Sequence, residues 1–428
     1  MRDHLFLFSA RHSEIIRLSL SAMRFFSKNF RLLWARDALN TAAVALTSTT
    51  VLLPLYLRLS MSDGQIGALT SFTQAENVVL SLLLSGITGR YSKTKRIVSW
   101  MYAIQSAVTI GYLTLCLIRG VGAAPAAVIV FALAAAVNAI ISVRVIFDYK
   151  LLCEVIDVAD YSFYASVGGI INGAFSIAAG LILPLMYSLF DFYSVTSAAV
   201  LCSSLFLVLA WAANSRLDLL PGSEKDIPQS ERKSLLKTAV SGISDVFRDG
   251  DFRRMIIPNF TRGLGAGILS MIPLLAVRCG AVAEENTSLI VGITNASVFL
   301  SCAVYAALRK VHMKASVLNF AGSLLFILII PSLTGGFAAF AVFYFIAYAG
   351  YNVVSYAIPD IVYNTVSEDI ISASNTWRMA FTTYGIVIST AVIGAVMSLT
   401  SGMVIAAVAA VLMLITCAAY LKNYRKRV

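Results

Sequence analysis

Long apolar runs recur along this chain, and they limit its fold more than any motif does. An α-helix needs about 20 residues, at a rise of 1.5 Å each, to cross the hydrocarbon core of a bilayer. Runs of that length lie near residues 33–57, 64–87, 97–118, 123–146, 161–187, 193–213, 255–277, 286–308, 315–333, 337–358, 372–397 and 402–421. Lipid offers no water to satisfy backbone amides and carbonyls, so runs like these must be helical. The chain is therefore expected to be an all-α polytopic membrane protein with twelve transmembrane helices. Only 13% of its residues are charged, against roughly 25% in soluble domains.

A formal charge of +11 would by itself suggest a nucleic-acid partner. Its distribution suggests a membrane instead. Of the 33 Lys and Arg, 26 fall in alternate inter-span segments that include both termini, while only Arg58, Arg119 and Arg278 fall in the segments between. This is the positive-inside asymmetry of a multi-pass protein of the cell membrane with both ends in the cytoplasm. The Lys/Arg-rich face is called the inner face below. No nucleic-acid partner is expected; the expected partners are membrane lipids and a small-molecule substrate, bound by a monomer. The six cysteines show no CxxC spacing and there are only three histidines, so neither a metal site nor a cofactor is expected. No Walker, GxSxG or HExxH pattern occurs, which argues against an enzyme.

Composition divides the chain. Residues 1–31 alternate aromatic and basic positions, which suits an amphipathic segment on the membrane surface; with Met23 as the initiator they would instead be a disordered leader. Residues 32–213 form a first set of six spans, 214–254 a charged linker with Pro221, Gly222 and Pro228, 255–421 a second set of six, and 422–428 a basic tail. The two sets look related. Asn29-Phe30-Arg31 matches Asp251-Phe252-Arg253 at an offset of 222, and Thr73, Ala75 and Lys93 match Thr294, Ala296 and Lys314 at 221. Phe131, Ala135, Asn138, Tyr149 and Glu154 match Phe345, Ala349, Asn352, Tyr363 and Glu368 at 214. Matches in chain order predict two pseudo-symmetric six-helix bundles.

The segment after the second span reads Gly86-Ile-Thr-Gly89-Arg90-Tyr-Ser92-Lys93-Thr-Lys95-Arg96. With the six-plus-six plan and the basic central linker, it resembles the major facilitator superfamily. Gly86, Arg90, Ser92, Lys93, Lys95 and Arg96 fit that family's signature loop, whereas its usual aspartate is Gly89 here, which removes the charge lock that the aspartate makes in relatives. The resemblance implies a gating role for Gly86, Arg90, Lys93 and Arg96. It also implies alternating access: two bundles rocking about a central site lined mainly by the first, fourth, seventh and tenth spans. Independently of family, a basic loop anchors topology and attracts anionic headgroups.

Charged and polar residues at depth are costly and are the candidates for function. Glu76 lies near the middle of the second span, where desolvation penalises a charged carboxylate and so suits a proton carrier. Asp37 is its rival, on a polar face of the first span with Asn40, Thr41 and Ser48. Arg36 is expected to snorkel; Arg144 either snorkels in a pair with Asp148 one turn on or joins the deeper arginines in binding a solute's anionic group. Arg262 and Arg378 lie deeper and are the expected anion binders. Tyr348, Tyr351 and Asn352 fall on the tenth span, where flat rings with hydroxyls suit sugars, aromatics or cations. These residues predict a secondary active transporter for a small polar, even anionic, solute, driven by a proton or sodium gradient. The alternative is an efflux pump for amphipathic drugs or lipids.

Overall fold

The computed structural model describes residues 28–84, 93–117, 123–156, 161–220, 250–311, 313–363 and 371–424. The signature-loop residues Gly86 and Arg90, the surface segment before residue 28 and most of the linker (221–249) lie outside the described residues. Every regular element among the described residues is a helix. In chain order they are α1 (Lys28–Arg58), α2 (Asp63–Leu84), α3 (Thr94–Leu117), α4 (Ala123–Val155), α5 (Tyr161–Leu189) and α6 (Phe192–Ser215). The second half holds α7 (Gly250–Arg278), α8 (Thr287–Lys310), α9 (Ala315–Ser332), α10 (Phe337–Tyr363), α11 (Ile371–Val396) and α12 (Gly402–Tyr424). By length and composition, 11 of these helices could cross a membrane. The exception is α2, whose 22 residues include Asp63, Gln65, Gln74, Glu76 and Asn77.

The packing repeats as the sequence does. In the first half α1 packs on α5 and α6, α3 on α4 and α6, and α2 on α4. In the second half α7 packs on α11 and α12, α9 on α10 and α12, and α8 on α10. Each pair has its counterpart six helices later. The halves meet through α2 against α11 and α5 against α8, contacts that a two-fold exchange of the halves converts into one another.

Three runs are interrupted: α3 breaks after Ile110, α9 passes through a 3-10 turn at Phe326–Leu328, and α1 has a break that bears on the site. The first run reads as one helix, but α1 breaks at Thr47–Ser48 and restarts at Thr49. The Thr47 hydroxyl donates to the Ala43 carbonyl at 3.0 Å, and Ser48 caps the second piece by accepting the Val51 amide at 3.4 Å. Ser and Thr side chains stand in here for lost backbone partners, as a broken membrane helix requires.

The halves close against each other near the outer face. A Cβ on Gly67 of α2 would stand 2.6 Å from the Gly394 Cα of α11, and one on Gly180 of α5 would stand 2.6 Å from the Gly292 amide nitrogen of α8. Glycine is required at both crossings because backbone meets backbone. Ser71 and Thr390 share a hydroxyl hydrogen bond of 2.6 Å just inside the first crossing. Two ion pairs span the seam at its outer rim: Arg58 to Glu285 at 3.2 Å and Arg278 to Asp63 at 2.6 Å. Arg58 and Arg278 end α1 and α7, while Asp63 opens α2 and Glu285 precedes α8, so the pairs are also pseudo-symmetric. Among the described residues, every side-chain hydrogen bond and ion pair that joins the halves lies in this outer region.

Candidate functional site

Beneath that seal lies a cavity of about 360 Å³ between the halves. Its wall is built by symmetry. Thr70, Thr73 and Gln74 of α2 line it with Val291, Thr294 and Asn295 of α8, each pair separated by 221 residues. Ser48, at the break in α1, faces the cavity with its counterpart Ser270 of α7. The break thus positions Ser48, Thr49 and Thr50 at the site.

The two-fold fails at α10, and the failure shapes the site. Tyr344, Tyr348 and Tyr351 line the cavity, where the matching positions of α4 are Val130, Ala134 and Val137. The three rings form a continuous wall, with centroids 5.6 Å apart for Tyr344 and Tyr348 and 5.8 Å for Tyr348 and Tyr351. Phe340 stacks on Tyr344 at 5.0 Å, and the Tyr344 and Thr294 hydroxyls are 3.3 Å apart. Among the described residues no charged side chain lines the cavity. It can offer hydroxyls, amides and flat rings, but no fixed charge.

Glu76 lies one turn beyond Thr73. It accepts a hydrogen bond from the Asn138 amide at 3.2 Å, and the same nitrogen donates to the Thr73 carbonyl at 2.7 Å. A half-buried carboxylate is therefore one side chain away from the cavity wall. Asn352, the counterpart of Asn138, donates to the Tyr348 carbonyl of its own helix at 2.9 Å and braces the tyrosine wall.

Asp37 sits elsewhere, in a buried cluster of the first half. The Arg36 guanidinium binds Asp37 at 2.7 Å and Asp148 at 2.8 Å, and donates to Asn214 at 3.0 Å. The Tyr164 hydroxyl donates to Asp37. Arg36 does not snorkel: it is 2% exposed. Its charge is matched by two carboxylates inside the bundle, so it gains nothing by reaching for water. Among the described residues the ion pair of Asp148 is with Arg36, not Arg144. Arg144 donates to Gln105 and stacks over Tyr102 at 4.3 Å, close enough to Asp148 to act on it electrostatically. The amide oxygen of Asn40 is buried with no hydrogen-bond partner.

The second half carries its own polar cluster toward the inner face. Arg262 donates to the Ser355 hydroxyl at 2.7 Å and lies 5.8 Å from the Tyr351 ring centroid. Its Nε is buried without a hydrogen-bond partner. Tyr420 donates to Asn259 at 3.1 Å, with Arg262 and Arg378 both close enough to act on it electrostatically. Arg378 is buried. Of the expected site residues, Tyr348 and Tyr351 line the cavity; Glu76, Asn352 and Arg262 stand directly behind its wall; Asp37 and Arg144 sit in or beside the cluster of the first half, and Asn40 lies one turn beyond Arg36 on α1. Lys93 and Arg96 open onto the outer wall of the first half, away from the seam between bundles.

Sequence reasoning placed Ser48 only on the polar face of the first span and passed over Gln74, Thr70, Ser270 and Asn295 as wall residues. Part of the signal was present: Thr73 and Thr294 pair at 221, and the same offset takes Gln74 to Asn295 and Thr70 to Val291 in the wall.

No family model matches the sequence, and no curated protein matches it. Solved structures do. The nucleoside transporter NupG aligns over 93% of this chain and 100% of its own, with a TM-score of 0.67 and 14% identity. A bacterial homologue of the iron transporter ferroportin, in an inward-facing state, aligns over 92% and 98%, with a TM-score of 0.67 and 12% identity. A bacterial homologue of the human lysosomal transporter Spinster, inward-facing and unoccupied, aligns over 93% and 96%, with a TM-score of 0.62 and 11% identity. The chain has the major facilitator fold. It is a multi-pass membrane protein, and its seal near the Lys/Arg-poor face accords with the inward-facing states of two of these neighbours.

Proposed function

We propose that this chain is a secondary transporter of the cell membrane, with both termini cytoplasmic, that moves a small polar solute by alternating access. One observation carries the reading: among the described residues, the polar groups lining the cavity between the two halves are all uncharged, and they face a wall of three tyrosines. A cavity of this kind favours an uncharged solute with a flat ring and several hydroxyls. The ring would stack on Tyr348 and Tyr351, and Ser, Thr, Gln and Asn would read the hydroxyls. A structural neighbour is a nucleoside transporter, and a nucleoside has that chemistry. The anionic alternative rests on Arg262, whose unpartnered Nε lies behind Tyr351; it fits a solute whose charged end points inward from the cavity. Neither pattern suits the amphipathic drugs or lipids of an efflux pump, which need a larger apolar chamber.

The same geometry separates the two coupling candidates. Asp37 is committed to Arg36 and Tyr164, whereas Glu76 is joined through Asn138 to the backbone at Thr73 in the cavity wall. Glu76 is the proposed proton carrier. The test is uptake by proteoliposomes of radiolabelled nucleosides, neutral sugars and carboxylate or phosphate analogues, with proton and sodium gradients imposed separately. Gradient-driven uptake of neutral ring-bearing solutes is expected. Uptake confined to anions, or to lipophilic dyes, would overturn the reading.

A further inference from the structure

The outer wall of the first half carries a second cavity, of about 570 Å³, which the transport pathway leaves unused. It lies where the start of α3 meets the end of α6. Lys93, Lys95 and Arg96 line its inner end, and Trp100 and Trp211 line the part toward the membrane. The order follows from helical spacing: Arg96 and Trp100 are four residues apart on one face of α3, and Trp211 lies one turn before the end of α6.

Three features suggest a ligand here. The rings are exposed, Trp100 by 56% and Trp211 by 42%, and on membrane-spanning helices an exposed ring near the helix end faces the headgroup region. The cations are not used up by their surroundings. Lys95 is held by donating to the Leu217 carbonyl at 2.6 Å, while Lys93 and Arg96 are exposed and form no ion pair among the described residues. Finally, the nearby acids have other partners. Asp218 binds Lys28 at 2.8 Å, and Glu154 accepts from Thr94 at 3.0 Å and lies 3.8 Å from Lys150. The first turn of α3 adds a partial positive charge, since Lys93 at its cap position supplies no side-chain acceptor.

We propose that this cleft binds an anionic phospholipid of the inner leaflet, with its phosphate on Lys93, Lys95 and Arg96 and its acyl chains against Trp100 and Trp211. Lipid is the source because the cleft pairs its basic end with lipid-facing indoles. An anionic lipid is favoured because a zwitterionic one would bring its own ammonium into a basic site. Its occupancy would fasten α3 to α6 at the inner face, next to the loop whose gating role the family resemblance implies.

The test uses the full chain in phosphatidylcholine vesicles containing increasing fractions of phosphatidylglycerol with brominated acyl chains, which quench tryptophan on contact. Quenching should saturate at a lower fraction of brominated phosphatidylglycerol than of brominated phosphatidylcholine. Each charge removed, by Lys93→Gln or Arg96→Gln, should weaken the preference on the order of five-fold. Trp100→Phe should shrink the saturable signal, which assigns it to this cleft. Equal quenching by the two brominated lipids, or an unchanged preference in the double Gln variant with a native circular dichroism spectrum, would overturn the proposal. So would full displacement of the saturable signal by millimolar inorganic phosphate, which would make the cleft a site for the free ion. None of these readouts depends on transport.

Discussion

Gly180→Ala should push the two halves apart at the outer face. Its new Cβ would lie 2.6 Å from the Gly292 nitrogen, 2.9 Å from the Gly292 Cα and 3.0 Å from the Ser288 carbonyl oxygen. All three are backbone atoms, which cannot rotate out of the way, so α5 and α8 must separate. Overpacking of this kind costs about 1–3 kcal/mol. The cost falls only on the state in which the helices cross closely, so the equilibrium should shift toward outer-face opening by roughly 5- to 150-fold. The ion pairs at the rim are worth less. Arg58 and Glu285 are 33% and 48% exposed, and Arg278 is 48% exposed; pairs in that setting contribute about 0.2–1 kcal/mol each. One added methyl group should therefore rival or exceed the loss of both salt bridges. The assay is labelling of Ser71→Cys by a membrane-impermeant maleimide, in a background where the six native cysteines are replaced. Ser71 is buried in the seam between α2 and α11, away from the altered crossing, so its labelling reports opening without touching residue 180. Faster labelling from the outer side is expected with Gly180→Ala, and a smaller acceleration with the Arg58→Gln/Arg278→Gln pair. An unchanged rate in a Gly180→Ala protein that elutes and melts like the wild type would refute the steric argument. A larger effect from the ion-pair variant would refute the ordering.

Other expectations follow from the same geometry. Glu76→Gln should abolish the dependence of uptake on a proton gradient while leaving counterflow exchange in place, and Asn138→Ala should weaken that dependence without removing it. Retained proton dependence in Glu76→Gln would remove Glu76 as the carrier. Tyr348→Leu and Tyr351→Leu should each raise the KM for a ring-bearing solute about 3- to 10-fold, by loss of a stacking contact of about 0.5–1.5 kcal/mol, with little change for a ring-free competitor. Arg36→Gln strands Asp37 and Asp148 in the bundle and should cost about 3–5 kcal/mol, read as a large fall in the melting temperature. Replacing Arg36 and both carboxylates by neutral residues of similar size should recover most of that loss, since the buried charges then disappear together.

Much of the architecture was legible because its causes are local. A run such as 402–421 must be a helix in lipid whatever surrounds it, and the Lys and Arg count orders the spans without reference to any contact. The repeat at 221 was equally visible in Thr73 and Thr294. Partners were not legible. Arg36 and Asp148 are 112 residues apart, and nothing local says that Arg36 takes Asp148 while Arg144, one turn away from it, turns to Gln105 and Tyr102. The reading of Arg36 as a snorkelling side chain failed for that reason: depth along a helix can be counted, but the direction a side chain faces depends on which helices pack beside it.

The sequence by itself determined that this chain is an all-helical, multi-pass membrane protein built as two related halves of six helices, because hydrophobic length, charge asymmetry and internal repetition act through single segments. The tertiary structure decided what those segments enclose. It brought Ser48, Thr73, Gln74, Thr294 and Asn295 from three helices to one cavity and placed the α10 tyrosines on one side of it. It also separated Glu76 from Asp37, joining one to the cavity wall and the other to a buried ion pair. Those outcomes depend on how helices hundreds of residues apart cross, and crossing is set by surfaces such as Gly67 on Gly394 that exist only once both helices are in place.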